Sequence, residues 1–131
     1  MKNNRWFEFA KQDLKMAELG FEGGVYNQAC FHCQQAAEKF LKGYLLVKNH
    51  EIPKIHFLDE LINLCIPIDK DFENLRENCS KLDDYYIPTR CPDALPGMLP
   101  EGLPAKKDAL EAIAYAKEVM QFVEKILEEQ G

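Results

Sequence analysis

The chain has 131 residues, the size of one domain, and a domain of this size buries roughly two-thirds of its unfolded surface without a disulfide or a structural metal. Apolar residues make up 47% of the sequence, but no run approaches the ~20 apolar residues of a membrane span. The polar N-terminus has no signal-peptide core. We therefore expect a cytoplasmic domain without membrane contact. The net charge is −6, and all of the acidic excess follows residue 65, which disfavours a general nucleic-acid surface and leaves only local RNA contact.

The first helix is predicted to start after Asn3 or Asn4, either of which can cap it, and to end at Gly20 or Glu22. Asp13 interrupts the apolar face of this helix, so its carboxylate either reaches water at the helix edge or has a polar partner. The apolar side chains recur at spacings of three and four residues, which places them on one face: Trp6, Ala10, Leu14, Ala17 and Phe21.

A glycine turn leads to a second helix, predicted from about Val25 to Lys48. Its wide apolar stripe contains Tyr26, Cys30, Cys33, Ala37, Phe40, Leu41, Tyr44 and Leu45. A polar seam with Gln34 and Glu38 runs beside this stripe, and such seams often face another element of the protein. The side opposite the stripe carries Gln28, His32, Gln35, Lys39 and Lys42, and we interpret this polar side, with His32, as solvated.

The chain has five scattered cysteines, which we expect to be reduced in a cytosolic protein. The Cys30-x2-Cys33 spacing leaves a zinc or redox site open as the minor alternative. However, no second Cys or His pair with ligand spacing follows, and this pair lies on the apolar face in the middle of a helix. We therefore interpret the pair as core packing and expect no metal and no cofactor.

A connector closed by Pro53 precedes a short helix, predicted from Phe57 to Cys65. His56 stands just before this helix, where it either hydrogen-bonds locally or, as the less favoured alternative, has a catalytic role.

A fourth helix is predicted to start at Pro67 and Asp69. Its apolar stripe contains Phe72, Leu75, Cys79, Leu82 and Tyr86. Arg76 and Asp83 fall inside the stripe, seven residues apart, which indicates a structural polar network. Their predicted partners are Asp13, Gln34 or Arg90.

Between the fourth and last helices lies a proline-rich loop, residues 87–104, within a Leu82–Pro104 segment that holds five of the seven prolines. A helical domain that carries such a long loop usually uses it for function. The last helix is predicted from Ala105 to Glu129, with a buried stripe of Ala109, Ile113, Ala116, Met120, Val123 and Leu127.

These elements predict a single all-α domain, an up-and-down bundle of four long helices plus one short helix. Apolar side chains remain on more than one face of the second and last helices, at Phe31, Leu46, Tyr115 and Phe122. A homodimer would bury this surface.

Three stretches, RWFEFAKQDLKMAE, YNQACFHCQQAAEKFLKGYL and LDDYYIPTRCPD, occur in this order and together resemble the HEPN domain family over nearly the whole chain. These are small helical proteins often encoded beside minimal nucleotidyltransferases. The resemblance implies a dimerising bundle of about five helices that acts in a two-gene, often toxin–antitoxin, system with a minimal nucleotidyltransferase as partner.

Many family members are metal-independent ribonucleases, whose site is an Arg, a polar residue and a His at a set spacing. Arg90 and Asp93 match the first two, but the three positions where the His should fall hold Leu95, Pro96 and Gly97. Leu95 cannot transfer a proton, so ribonuclease activity is the alternative and Arg90 its only catalytic candidate.

The favoured hypothesis is an interaction module. It binds the nucleotidyltransferase, and a nucleotide or phosphate, through Tyr85, Tyr86, Arg90 and Asp93. An Arg can hold a phosphate with two parallel hydrogen bonds. The competing structural hypothesis makes the loop a packing element, with Arg90 paired to a carboxylate of the bundle.

The structural polar network is predicted to contain Asp13, Gln34, Glu38, Arg76 and Asp83. His32 or His56 could replace the missing His only if the fold brings one of them to Arg90.

Overall fold

The computed structural model describes residues 4–86 and 102–130, which form five α-helices and one 3-10 helix. The elements are α1 (Arg5–Glu22), α2 (Tyr26–Val47), α3 (Leu58–Cys65), the 3-10 helix (Lys70–Leu75), α4 (Arg76–Asp83) and α5 (Lys106–Gln130). The predicted all-α helical bundle is confirmed.

The start of α1 is set by a side-chain hydrogen bond, and its end by a glycine turn. The side chain of Asn4 accepts a hydrogen bond from the Phe7 N–H at 3.2 Å and so caps the first turn. At the other end the chain turns at Gly24, whose φ of 76° is a conformation that favours glycine. The buried side chains of α1 are Phe7, Ala10, Leu14 and Ala17, whereas the predicted Trp6 is only partly buried.

The central element is α2, which contacts α1, α3, α4 and α5. Because it is surrounded, 13 of its 22 residues are buried. Three of the buried residues are polar: Gln34, Glu38 and Lys42. Their side chains need hydrogen-bond partners inside the protein, since water cannot satisfy them there.

α1 and α2 pack antiparallel at close range. The side-chain amide of Asn4 donates to the carbonyl of Gly43 at 3.3 Å, near one end of the helix pair. Gly20 lies against Ala29 near the other end. A Cβ atom added at Gly43 would lie 2.5 Å from Cε1 of Phe7, so glycine is required for this approach.

The fourth predicted helix differs from the prediction in its shape and its end. The chain forms the 3-10 helix, then the eight-residue α4, instead of one long helix. Asp69 caps the 3-10 turn by accepting from the Asp71 N–H at 3.0 Å. Because α4 ends at Asp83, Tyr86 lies beyond the helix and not on its apolar stripe.

Aromatic contacts join this part of the bundle to α2 and α5. The ring of Phe72 packs on Tyr44 of α2 at 4.7 Å and on Phe122 of α5 at 4.9 Å between centroids. Such pairs add packing energy beyond the burial of their area. Phe72, together with buried Leu75, therefore anchors the 3-10 helix in the core.

We predict that Gly43→Ala destabilises the protein. The added methyl group meets the Phe7 ring, and overpacking of this kind costs about 1–3 kcal/mol, more than the helix propensity gained. Gly23→Ala is the matched control, because its φ is −85° and its nearest contact would be 3.4 Å away. Urea unfolding measures both, and a Gly43→Ala variant as stable as the control would contradict the close approach.

Candidate functional site

A buried carboxylate on α2 gathers the polar side chains of the predicted seam. Glu38 is 4% exposed. It accepts hydrogen bonds from Lys42 Nζ at 3.0 Å, His56 Nδ1 at 3.2 Å and Gln35 Nε2 at 3.4 Å. We call these four residues the Glu38 cluster. The side chains of Glu38 and Lys42 are 6% and 5% exposed, so removal of either would leave the other buried without its counter-ion.

The imidazole of His56 is held in one orientation by this cluster. The carboxylate of Glu38 only accepts hydrogen bonds, so Nδ1 of His56 must carry the proton and Nε2 of the neutral ring has a lone pair. Nε2 has no hydrogen-bond partner among residues 4–86 and 102–130, and the side chain is 52% exposed. His56 thus contacts a residue 18 positions away, not the local groups that the sequence indicated.

Tyr86 joins the head of the predicted loop to the Glu38 cluster. Its ring stacks on His56 with 5.5 Å between centroids and 21° between planes, and it meets the edge of Phe57 at 5.3 Å. Burial raises the pKa of Tyr86, and the charge of Glu38 adds to this effect. The phenol is therefore neutral and able to donate a hydrogen bond.

Gln34 and Asp83 fix the backbone on the other side of His56. Nε2 of Gln34 donates to the His56 carbonyl at 2.9 Å and to Oδ1 of Asp83 at 3.2 Å. Asp83 also accepts from the N–H groups of Leu58 at 2.8 Å and Asp59 at 3.0 Å. Since Phe57 provides no side-chain cap, Asp83 caps α3 from a different helix. Burial outweighs these hydrogen bonds and raises the pKa of Asp83.

Asp13 belongs to a separate cluster between α1 and α2. Its carboxylate contacts His32 Nδ1 at 2.9 Å and Nζ of Lys39. Burial alone would raise the pKa of Asp13, but the hydrogen bonds from His32 and Lys39 together outweigh it and lower the pKa. Of the two alternatives for Asp13, the structure has the partnered one, and His32 is its partner and not a freely solvated side chain.

Arg76 also lies apart from the Glu38 cluster. Its guanidinium contacts Asp59 at 2.6 Å, Glu73 at 2.9 Å and Asn63 at 2.6 Å. The predicted pairing of Arg76 with Asp13 or Gln34 is therefore wrong, because carboxylates on α3 and the 3-10 helix lie closer. Of the five residues of the predicted network, Asp13 and Arg76 each lie apart, whereas Gln34, Glu38 and Asp83 are joined through hydrogen bonds, with Gln35 linking Gln34 to Glu38.

The predicted loop residues have different outcomes. Tyr85 is 9% exposed and packs in the core beside Cys30, and burial raises its pKa. Arg90, Asp93 and Leu95 lie outside the residues that the structure describes. The structure describes two of the predicted ligand residues, Tyr85 and Tyr86. Of these two, Tyr86 lies beside the Glu38 cluster, where its ring stacks on half-exposed His56.

Cys30 and Cys33 are both fully buried in the hydrophobic core. Burial raises the pKa of Cys30 to about 12 and raises that of Cys33 as well, so both are neutral thiols. Among the described residues, no group of three or more His, Cys, Asp or Glu side chains is arranged to hold a metal ion. No helix in that part of the chain is long and apolar enough to cross a membrane.

Sequence reasoning missed Lys42, which it assigned to the solvated side of α2. The signal that could have found it is the Glu38–Lys42 spacing of four residues, which places the two side chains together on one helix face. The buried position of Lys42 depends on the neighbours of α2, which spacing along one helix does not reveal.

Comparison with known protein families agrees with this helical arrangement. The family model for the HEPN domain matches residues 4–126. The chain belongs to the HEPN domain family. A search of the curated proteins finds no significant match.

Three solved structures are similar to this HEPN chain over most of its length. The protein TT1696 from Thermus thermophilus is 37% identical, covers 92% of this chain and 94% of its own, and has a TM-score of 0.76. ST0689, an archaeal HEPN homologue, is 31% identical, covers 95% of this chain and 98% of its own, and has a TM-score of 0.74. An HEPN domain protein from Thermotoga maritima is 27% identical, covers 95% of this chain and 98% of its own, and has a TM-score of 0.76.

We predict that Asp13→Asn destabilises this HEPN domain in a pH-dependent way. Because the pKa of Asp13 is lowered from its usual 3.8, the ionised carboxylate stabilises the fold above about pH 4, and this stabilisation is lost as the pH falls further toward the folded-state pKa. The free energy of unfolding should fall by about 1–3 kcal/mol at pH 7, since two donors lose a charged acceptor. Exposed Asp71→Asn is the control.

Urea unfolding of both variants and the wild type between pH 3 and 7 tests this expectation. The difference between Asp13→Asn and the wild type should shrink below pH 4. A difference that stays constant over the whole range would contradict an ionic role for Asp13.

Proposed function

We propose that this HEPN protein is a dimerising subunit of a two-gene, toxin–antitoxin-like system, which binds a minimal nucleotidyltransferase partner and a nucleotide or phosphate group. The observation that supports nucleotide or phosphate binding is the stack of Tyr86 on His56. It places Tyr86, near the head of the proline-rich Leu82–Pro104 segment, against a half-exposed imidazole whose Nε2 has no hydrogen-bond partner among the described residues. Membership of the family supports the nucleotidyltransferase as the partner.

The ligand site combines groups suited to the two parts of a nucleotide. The Tyr86 and His56 rings offer aromatic surface for a base, and base–aromatic stacking is worth about 1–3 kcal/mol. Nε2 of His56 becomes a donor to a phosphate oxygen when the ring is protonated. Arg90, the other candidate for the phosphate, follows Tyr86 by four residues in the sequence.

The charge distribution favours a small anionic ligand over a long nucleic acid. The chain carries a net charge of −6, and the charges of Lys39 and Lys42 are each paired with a carboxylate. A long polyanion needs many unpaired cations along its path. The same acidic surface would complement a basic surface on a protein partner.

RNA cleavage is the second candidate function, and the Glu38–His56 pair is the observation in its favour. A carboxylate that fixes the tautomer of an imidazole is the arrangement used in many acid–base sites. Nε2 of His56 would accept the proton of an RNA 2′-hydroxyl, and Arg90 would bind the phosphate. This would assign to His56 the role that Leu95 cannot perform.

Isothermal titration with ATP, GTP and inorganic phosphate tests the ligand part. We expect Arg90→Ala and His56→Ala each to weaken nucleotide binding at least tenfold, because each removes one phosphate contact. Arg5→Ala and His50→Ala, which change the same residue types away from the cluster, should bind as the wild type does. Arg90→Lys should bind more weakly than the wild type if the guanidinium makes a bidentate contact.

The outcomes separate the two candidates. No binding of any of these ligands to the wild type would contradict the ligand site. Cleavage of RNA that disappears in both His56→Ala and Arg90→Ala would favour the ribonuclease. Failure to co-purify with a co-expressed minimal nucleotidyltransferase would contradict the partner.

A further inference from the structure

Lys42 and His56 bond to the same oxygen atom of the buried Glu38 carboxylate. Oε2 of Glu38 lies 3.0 Å from Nζ of Lys42 and 3.2 Å from Nδ1 of His56. The other oxygen, Oε1, accepts from the uncharged amide of Gln35 at 3.4 Å. Because both nitrogen atoms bond to one oxygen, the ammonium group and the imidazole are close neighbours, and each changes the electrostatic environment of the other.

The ammonium group of Lys42 already neutralises the charge of Glu38. The side chain of Lys42 is 5% exposed, and its Nζ lies 5.6 Å from the centre of the Trp6 ring, a cation–π contact that holds the group in place. A second cation at the same oxygen, the imidazolium form of His56, would be attracted by Glu38 but repelled by Lys42. Lys42 therefore opposes the effect of Glu38 on the protonation of the ring.

Charged groups on the neighbouring elements have their own partners. Asp83 of α4 accepts hydrogen bonds from the backbone of α3. Asp59 of α3 pairs with Arg76 at 2.6 Å. The phenol of Tyr86, whose ring stacks on His56, is neutral. The two opposite charges of the Glu38 cluster are therefore those that act most directly on the imidazole.

An anion bound at Nε2 of His56 would change this balance. Nε2 has no hydrogen-bond partner in the part of the chain that the structure describes, and in the neutral ring it has a lone pair. A lone pair repels a phosphate oxygen, so a hydrogen bond between them requires a second proton on the ring. The imidazolium would then lie between two anions, Glu38 at Nδ1 and the phosphate at Nε2, and the phosphate charge would offset the repulsion from Lys42.

We propose that Lys42 keeps the ring of His56 neutral in the free protein, so that nucleotide or phosphate binding takes up one proton from the solvent at Nε2. This rests on the proposed nucleotide or phosphate site and adds its regulation by pH. Because binding consumes a proton, the affinity should fall as the pH rises, by up to about tenfold per pH unit while the free ring is neutral.

Isothermal titration of the full chain with ATP at pH 7.5, in buffers of different ionisation enthalpy, counts the protons taken up per ligand. Phosphate groups are almost fully ionised at this pH and contribute little to the count. We expect an uptake approaching one proton for the wild type, and a dissociation constant that rises severalfold between pH 7 and 8. His56→Gln keeps a hydrogen-bond donor but cannot take up a proton, so it should bind without uptake.

Lys42→Met tests the origin of the effect. Without the ammonium group, the imidazolium of His56 becomes the counter-ion of Glu38 in the free protein. ATP binding should then take up fewer protons at pH 7.5, and its affinity should depend less on pH. Lys39→Met is the matched control, because Lys39 lies on the same helix but pairs with Asp13. It should give the wild-type proton count, and circular dichroism melting shows whether each variant is folded.

The outcomes separate this proposal from the ligand site itself. ATP binding without proton uptake in the wild type, or uptake that persists in His56→Gln, would overturn the proposal while the site stands. Neither result depends on the folding of Lys42→Met. An unchanged proton count in folded Lys42→Met would overturn the role of Lys42. A wild-type chain that binds neither ATP, GTP nor phosphate would overturn the site and the proposal together.

Discussion

The carboxylate of Glu38 lies inside the bundle, and the groups that satisfy it determine the geometry around it. A buried carboxylate is tolerated only when it is paired and hydrogen-bonded. Glu38 meets this condition with Lys42 from its own helix and with His56 from the connector before α3. The position of the connector is thus tied to a charge on the central helix. Loss of one partner of such a pair typically costs about 3–5 kcal/mol.

The same side of α2 fixes the position of Tyr86, the last residue that the structure describes before residue 102. Gln34 holds the backbone of His56, and Asp83 of α4 caps the start of α3. Tyr86 follows α4 directly and stacks on His56. Apolar packing alone would permit small shifts of these short elements. The directional hydrogen bonds give His56 and Tyr86 one relative position, which is what a binding site requires.

The long helices of this HEPN domain could be predicted from the sequence, because each repeats its apolar spacing over four turns or more. The short elements could not be predicted as well, since 3-10 and α-helical turns of six to eight residues contain too few repeats to distinguish them. This is why the break between Leu75 and Arg76, and the release of Tyr86 from the helix, were not foreseen.

Most residues of the polar clusters could be predicted from the sequence, but the partner of each residue could not. Asp13, Gln34, Glu38 and Asp83 stand out because polar residues interrupt apolar stripes. Which donor each one meets depends on the packing of separate helices, and for that reason the partners His32 and Lys42 were interpreted as solvated.

The most direct test of the role of Glu38 is nitrogen-15 NMR of the His56 side chain, in the wild type and in Glu38→Gln, with and without ATP. We predict that the proton of the neutral ring resides on Nδ1 in the wild type, that Glu38→Gln weakens this preference, and that ATP shifts the Nε2 resonance. A wild-type ring with its proton on Nε2, or ATP binding that leaves the Nε2 resonance unchanged, would contradict the proposal that Glu38 orients His56 toward a ligand.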